Sequence, residues 1–341
     1  MLLSLLIAIF VLALYEVKIK TEGYHLDYLS KEKTNSIKGI FILLIVLIHS
    51  NQYIISNGYG FTNLGDGFYL WFFGHMSQLV VAMFLFYSGY GVSESFKMKG
   101  YAYAKSIPVH RILATLLNFD VAVVVFIVVC FLLSKPLSFS KCFLSLTGWE
   151  TVGNSNWYIF VILLCYFYSY IAFQLKKNKP RERVLILSLL CLLSVILLSQ
   201  FKEGWWYGTI LCYPAGFVFS TYRIEIIQRK YYWCVLLLCV LTFFLLSFLP
   251  LDPFGLRYNL ESVVFAFLVI QLTLKVGINN KPLQWMGKNL FPVYIYMRLP
   301  MMIFDDQTPR FVSAQPAMFI MVSFVVTLVI ASMYRFWQIR L

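Results

Sequence analysis

The sequence predicts an all-α, polytopic membrane bundle of about eleven helices, and three observations predict it. Hydrophobic residues make up 60% of the 341 and charged residues only 13%, more apolar surface than one soluble core can hide. The apolar residues fall in blocks of roughly 14 to 24, the length an α-helix needs to cross about 30 Å of hydrocarbon. The cations also alternate between loops. Of 28 Lys and Arg, 22 lie in segments 16–38, 93–111, 176–183, 222–230, 275–288 and 335–341. Sheet-like alternation is absent, which argues against an outer-membrane barrel.

Block 1–15, MLLSLLIAIFVLALY, is short for a span and lacks both a cationic leader and a small-residue cleavage site. It therefore reads as a retained anchor helix rather than a removed signal peptide. With the linker that follows it forms an N-terminal unit, residues 1–33, ahead of a membrane-embedded domain at 34–341. Block 37–54 carries Lys38 near one end and His49 near the other. Eleven residues of helix give about 16 Å of rise and about 20° of rotation, so the two share one stripe. Ionisable groups in lipid mark a path, a site or a buried pair; a snorkelling lysine and a hydrogen-bonded structural histidine are the plainer reading.

Block 67–92 ends in VAMFLFYSGYG, where Ser88 and its neighbouring glycines allow a helix or a ligand to approach the backbone closely. His75, nearer the outer end, reads as an interfacial residue rather than a partner of His49. Block 109–134 opens on His110 and Arg111. Lys38, Lys105 and Arg111 can cradle a polyphosphate, Arg by forked hydrogen bonds and Lys as a mobile point charge; a plain cytoplasmic flank is the alternative. Asp120, deep in this block, reads as half of a structural ion pair, with proton movement the other option.

Block 156–175 is introduced by GNSNWYIF. Asn154, Asn156, Trp157 and Tyr158 there form either an aromatic interface anchor or a carbohydrate-facing lip, since flat rings stack on sugar faces and amides bond hydroxyls. Blocks 184–201, 204–221 and 231–249 are apolar throughout, with Pro214 and Gly216 as weak breaks. Block 257–274 opens on Arg257 and Glu261, spaced to pair with each other. Block 283–304 holds Pro292 and Arg298, Asp305 and Asp306 cap an outer loop, and block 313–334 closes the bundle.

The positive-inside bias places the N-terminus outside and the C-terminus in the cytoplasm of a multi-pass plasma-membrane protein. The same bias accounts for the formal charge of +13, so no nucleic-acid partner is expected. Seven cysteines without CxxC spacing form neither a disulfide framework nor a zinc site, and no metal is expected.

The stretches SIKGIFILLIVLIHS, VAMFLFYSGYG, the basic loop leading to HRIL, NWYIFVILLCYFY and LQWMGKNLFPVYIYMRLP resemble, in order and spacing, the membrane-bound acyltransferase 3 family over about residues 34 to 335. The likeness extends to O-acetyltransferases of surface glycans, the fucose 4-O-acetylase-like members. The resemblance implies ten core helices, here preceded by one more. It also implies transfer of an acyl group, usually acetyl from acetyl-CoA, to a hydroxyl of an extracytoplasmic glycan or lipid-linked sugar. Lys38 and Arg111, with Lys105, would hold CoA phosphates, while His49 would act as general base or briefly carry the acyl group; a sugar hydroxyl is a poor nucleophile, and imidazole suits the proton transfer. Ser88, Asn156, Trp157, Tyr158 and Arg298 are the candidate substrate-binding residues. The chain departs from the family pattern at Ala82, where an acid is frequent, at Arg111, which stands alone where arginines are paired, and at Met297 and Arg298, where a histidine is common. A transporter or flippase for a sugar-containing or anionic substrate is the competing expectation, in which the same polar residues line a path.

Overall fold

The computed structural model describes residues 2–227, 229–250 and 252–341, with the Arg229 side chain excepted. Met1 of the first expected block, and Gln228 and the Arg229 side chain of the cationic segment 222–230, lie outside the described residues. The chain is helical almost throughout, in the order α1 (Leu2–Leu14), α2 (Lys31–Ser56), α3 (Leu64–Met76), α4 (Leu79–Ile107), α5 (Ala114–Leu132), α6 (Phe139–Leu146), α7 (Trp157–Leu175), α8 (Pro180–Leu198), α9 (Cys212–Ile226), α10 (Tyr232–Phe248), α11 (Leu256–Lys275), α12 (Lys281–Lys288), α13 (Leu290–Tyr296), α14 (Arg298–Gln307), α15 (Pro309–Ala314) and α16 (Pro316–Met333). Among the described residues the strand content is one two-residue ladder, Lys18–Ile19 against Val276–Gly277.

Each of the eleven expected blocks is largely helical, but the third and tenth are broken in mid-run, the seventh is α-helical only from Cys212, and the eleventh begins in α15 before a break at Gln315. The third divides into α3 and α4 at Ser77, which adopts φ +27°, a conformation costly for a residue with a Cβ. At 13 residues, α3 rises only about 20 Å, and it packs against α1 rather than crossing the bundle alone. A second break follows at Gly100, φ +62°, so the segment after it turns away before a π-helical turn at Pro108–Leu113 leads into α5. The tenth block splits into α12, α13 and α14 at Asn289 and Met297. By length and composition Lys31–Ser56, Leu64–Leu132, Trp157–Leu175, Pro253–Lys275 and Pro316–Phe336 are long and apolar enough to cross a membrane, the second of these being the composite run broken as described.

Large apolar side chains cover the outside of the molecule: Leu237, Leu238, Leu241, Phe244, Leu245 and Phe248 of α10 are all exposed. Such a surface is at rest only in lipid. Within the bundle two helix pairs touch through glycines. A Cβ on Gly39 of α2 would overlap the Leu283 carbonyl of α12, and one on Gly287 of α12 would overlap the Asn35 carbonyl of α2. Gly89 of α4 and Gly216 of α9 stand in the same reciprocal relation, against Tyr213 and Phe86. Small residues at both ends of a crossing let backbones approach where no hydrophobic effect drives helices together.

The N-terminal unit is tied down rather than free. Leu2 and Leu6 are buried, Asn280 donates to the Leu12 carbonyl at 3.0 Å, and the linker bonds to the end of α11 through Lys20 and His25 amides. Ser30 caps α2 by accepting from the Lys33 amide.

Candidate active site

α2 is continuous from Lys31 to Ser56, so Lys38 and His49 do lie on one helix about three turns apart. His49 is buried, 9% exposed, and lines a cavity of about 590 Å³. Its Nδ1 is sealed from solvent without a hydrogen-bond partner, and Gln52, one turn on, and Arg298 flank the ring. Most of the other walls come from helix ends and the loops between helices: Ser77 and Gln78 at the α3–α4 junction with Val80 and Val81 in the first turn of α4, the loop 149–156 before α7, the loop 201–206 between α8 and α9, Tyr294 in the last turn of α13 and Arg298 at the start of α14. Broken helices expose backbone and polar side chains at depth only where they line a cavity or are buried in protein.

Of the twelve buried side-chain polar atoms without a partner among the described residues, five belong to residues lining this cavity: His49 Nδ1, Gln78 Oε1, Asn154 Nδ2, Ser155 Oγ and Tyr294 OH. Native interiors leave few such atoms; here the Ser155 and Tyr294 hydroxyls face each other, and all five belong to residues gathered around one cavity. Arg298 adds an unneutralised cation. Its Nε donates to the Tyr53 hydroxyl at 3.3 Å, and no carboxylate pairs with it among the described residues. Met297, beside it in sequence, is fully buried.

The mouth is aromatic. Lys202 lies 4.0 Å over the Trp149 ring and 4.4 Å over that of Trp206, donates to the Trp149 carbonyl at 2.9 Å, and stands 3.7 Å from Glu150. The Asn156 amide donates to the Gly148 and Glu150 carbonyls at 2.9 and 3.0 Å. Asn156 thus holds the loop that forms the wall, and both it and Trp157 reach the cavity.

Tyr158 stands behind the lining, its ring 5.4 Å from Tyr294. The Ser88 hydroxyl lies between Tyr158 and Tyr166. Arg111 sits 5.9 Å over the Tyr166 ring beside Tyr103, and Lys38 lies 5.7 Å over Tyr87. Neither cation forms an ion pair among the described residues, where the Tyr87 hydroxyl also lacks a partner, while the Tyr103 hydroxyl faces Arg111. A second station of unmet donors therefore lies two to three turns along α2 from His49, joined to the first by tyrosines.

The ion pair expected at Asp120 is corrected, and other expected residues stand away from the cavity. Lys38 does not share the His49 cavity, whose lining on α2 begins at Ile45; buried Ile42 and Ile45 fill the stripe between. Lys105 is exposed and lies over Tyr101 at 5.3 Å, with Lys177 over the same ring at 4.4 Å, on the segment after Gly100 that also carries Arg111. Asp120 has no ion-pair partner among the described residues and borders an apolar, outward groove instead. Gly89 of the SGYG motif is spent on helix packing.

Other readings hold. His75 is exposed and bonds the Trp71 carbonyl at 2.8 Å. Arg257 pairs with Glu261 at 2.8 Å. Asp305 accepts from Asn57 at 2.6 Å, and Asp306 meets Lys135 at 3.4 Å. Sequence reasoning missed Gln52, Gln78, Tyr294 and the Trp149–Lys202–Trp206 sandwich. Gln52 and Tyr294 were detectable as i+3 of His49 and i−4 of Arg298, the spacings that share a helix face.

A family model described as an acyltransferase domain, the acyltransferase 3 type, matches residues 33–335. No curated protein and no solved structure matches the chain.

Proposed function

The chain belongs to the acyltransferase 3 family of membrane acyltransferases, and from that premise we propose that it moves an acetyl group from cytoplasmic acetyl-CoA to a hydroxyl of an extracytoplasmic or lipid-linked polysaccharide. The observation that carries this reading is the His49 imidazole, buried with Nδ1 unpartnered against a cavity rich in unspent polar atoms. In this reading His49 accepts the proton of the acceptor hydroxyl as its oxygen attacks the thioester carbonyl. Arg298 faces the charge that develops on that carbonyl oxygen. Collapse breaks the carbon–sulfur bond, and the thiolate leaves with the proton returned from His49.

Cations without counter-ions suit the donor. Lys38 and Arg111, half-buried beside tyrosines and without an ion-pair partner among the described residues, fit the diphosphate of coenzyme A, since a partly desolvated charge is stabilised by an opposite one. The His49 cavity would then open outward, with the N-terminus outside and the C-terminus in the cytoplasm, as the loop cations require. Asn156, Trp157 and the indoles of the mouth supply stacking faces and amides for a sugar. Ser88 and Tyr158 would order the passage between donor and acceptor.

The test is the acetyl content of cell-surface polysaccharide, read by NMR with and without the intact gene. A loss of O-acetyl signal restored by the wild-type chain is expected; unchanged acetylation together with no acetyl-CoA turnover by the purified protein would defeat the reading.

A further inference from the structure

A second cavity, of about 300 Å³, opens between α4, α7, α8 and α9. Lys97 on its rim is sixteen residues, or about 24 Å, along α4 from Val81 at the His49 cavity. Phe96 and Phe173 stack in it with centroids 4.0 Å apart and planes 6° from parallel. The Arg183 guanidinium lies 4.4 Å over the Phe96 ring. At that distance the guanidinium is held over the ring face by cation–π attraction.

One edge of Arg183 is occupied, Nη1 donating to the Lys177 carbonyl at 3.1 Å. The Nε on the other edge is buried and meets no acceptor among the described residues. The neighbouring acid does not serve it, for Glu182 is held by Lys176 at 2.6 Å and Lys179 at 2.7 Å. Lys97 donates to Glu94 at 2.8 Å and to the Ser220 carbonyl, which leaves one of its three N–H bonds. The lining contains no Asp or Glu.

A guanidinium edge with Nε and Nη2 side by side matches two oxygens of one phosphate. We propose that this pocket binds a phosphate monoester through Arg183 and Lys97. Resting on the coenzyme A reading above, the group is the donor's 3′-phosphate, the one farthest from the thioester. Lys38 and Arg111, nearer His49, then face the diphosphate, and the pantetheine arm spans the remaining distance to the cavity.

The experiment compares coenzyme A with 3′-dephospho-coenzyme A, by calorimetry on purified protein in phosphatidylcholine nanodiscs, for wild type, Arg183→Gln and Arg183→Lys. Arg183→Lys keeps the charge and the stem, and a melting temperature like that of wild type certifies its fold. Wild type is expected to bind coenzyme A at least tenfold tighter than the dephospho form, and both variants to lose most of that preference while binding the dephospho form unchanged. Equal preference in wild type and variants overturns the pocket and leaves the donor reading standing. If wild type binds neither compound, the donor reading fails, and Arg183-dependent binding of inorganic phosphate then sustains the site while its absence removes it. Arg183-dependent stabilisation by added phosphatidylglycerol, without any preference for the 3′-phosphate, would give the pocket to a lipid headgroup and overturn the assignment.

Discussion

Arg298 donates through Nε to the Tyr53 hydroxyl at 3.3 Å, and its guanidinium lies 5.4 Å over the same ring. One side chain of α2 thus holds, by edge and by face, the cation that α14 presents to the His49 cavity. Tyr53 lies four residues beyond His49 on that helix, so the imidazole and the guanidinium are both positioned from one continuous helix, the kind of support a precise site needs.

Replacing Arg298 by Ala is expected to lower kcat for transfer by about 10²- to 10³-fold, the cost of removing one preorganised partner of a developing oxyanion. Arg298→Lys should recover part of this, because charge is restored without the fork that bonds Tyr53. Steady-state kinetics on purified protein decides the role: a rise in KM with kcat unchanged would make Arg298 a binding residue only.

His49→Ala is expected to abolish transfer while leaving the fold intact. General-base catalysis contributes about 10²- to 10⁴-fold. A neutral amide of similar size, His49→Gln, should be equally inactive though it fills the space. Persistence of more than a tenth of the wild-type rate in either variant, with acetyl-CoA and acceptor saturating, would remove His49 from the chemistry.

Lys202 between Trp149 and Trp206 bridges two loops of the cavity mouth. Lys202→Met keeps the stem but loses the cation–π contacts, worth about 0.5 to 2 kcal/mol, and the bond to the Trp149 carbonyl. The expected signature is a several-fold higher KM for the acceptor, with acceptor-independent hydrolysis of acetyl-CoA unchanged. Equal loss of both reactions would show that the sandwich supports the fold rather than the acceptor.

Helix content and the His49–Lys38 spacing were legible because each depends on local pattern: block length, cation bias, and the 3.6-residue period. The breaks were not. Ser77 ends a helix inside an apolar run that carries no obvious stop signal, whereas the end at Met297 is marked only by Pro300 three residues on; Gln78 and Arg298, beside these breaks, line the His49 cavity. Arg298 was singled out as an ion in lipid, but its partner Tyr53, on another helix, depends on tertiary packing. Asp120 looked like half of a pair because a buried charge is expensive, yet it lies in a groove lined by Ile112, Leu116 and Phe143.

The SGYG motif separates packing from chemistry most sharply. Gly89 and Gly216 each press on a carbonyl of the other's helix, while Ser88, one residue earlier, turns toward Tyr158 and Tyr166. Gly89→Ala must push α4 from α9, and overpacking of this kind costs about 1 to 3 kcal/mol, enough to lower the melting temperature by several degrees in a thermal-unfolding assay. Ser88→Ala removes a hydroxyl without adding volume, so it should leave the melting temperature nearly unchanged and act on turnover. Gly91 has open space where its Cβ would go, and Gly91→Ala serves as the control that should move neither. A Gly89→Ala protein as stable as wild type would show that the two helices have room to separate, and the reciprocal contact would then lose its structural meaning.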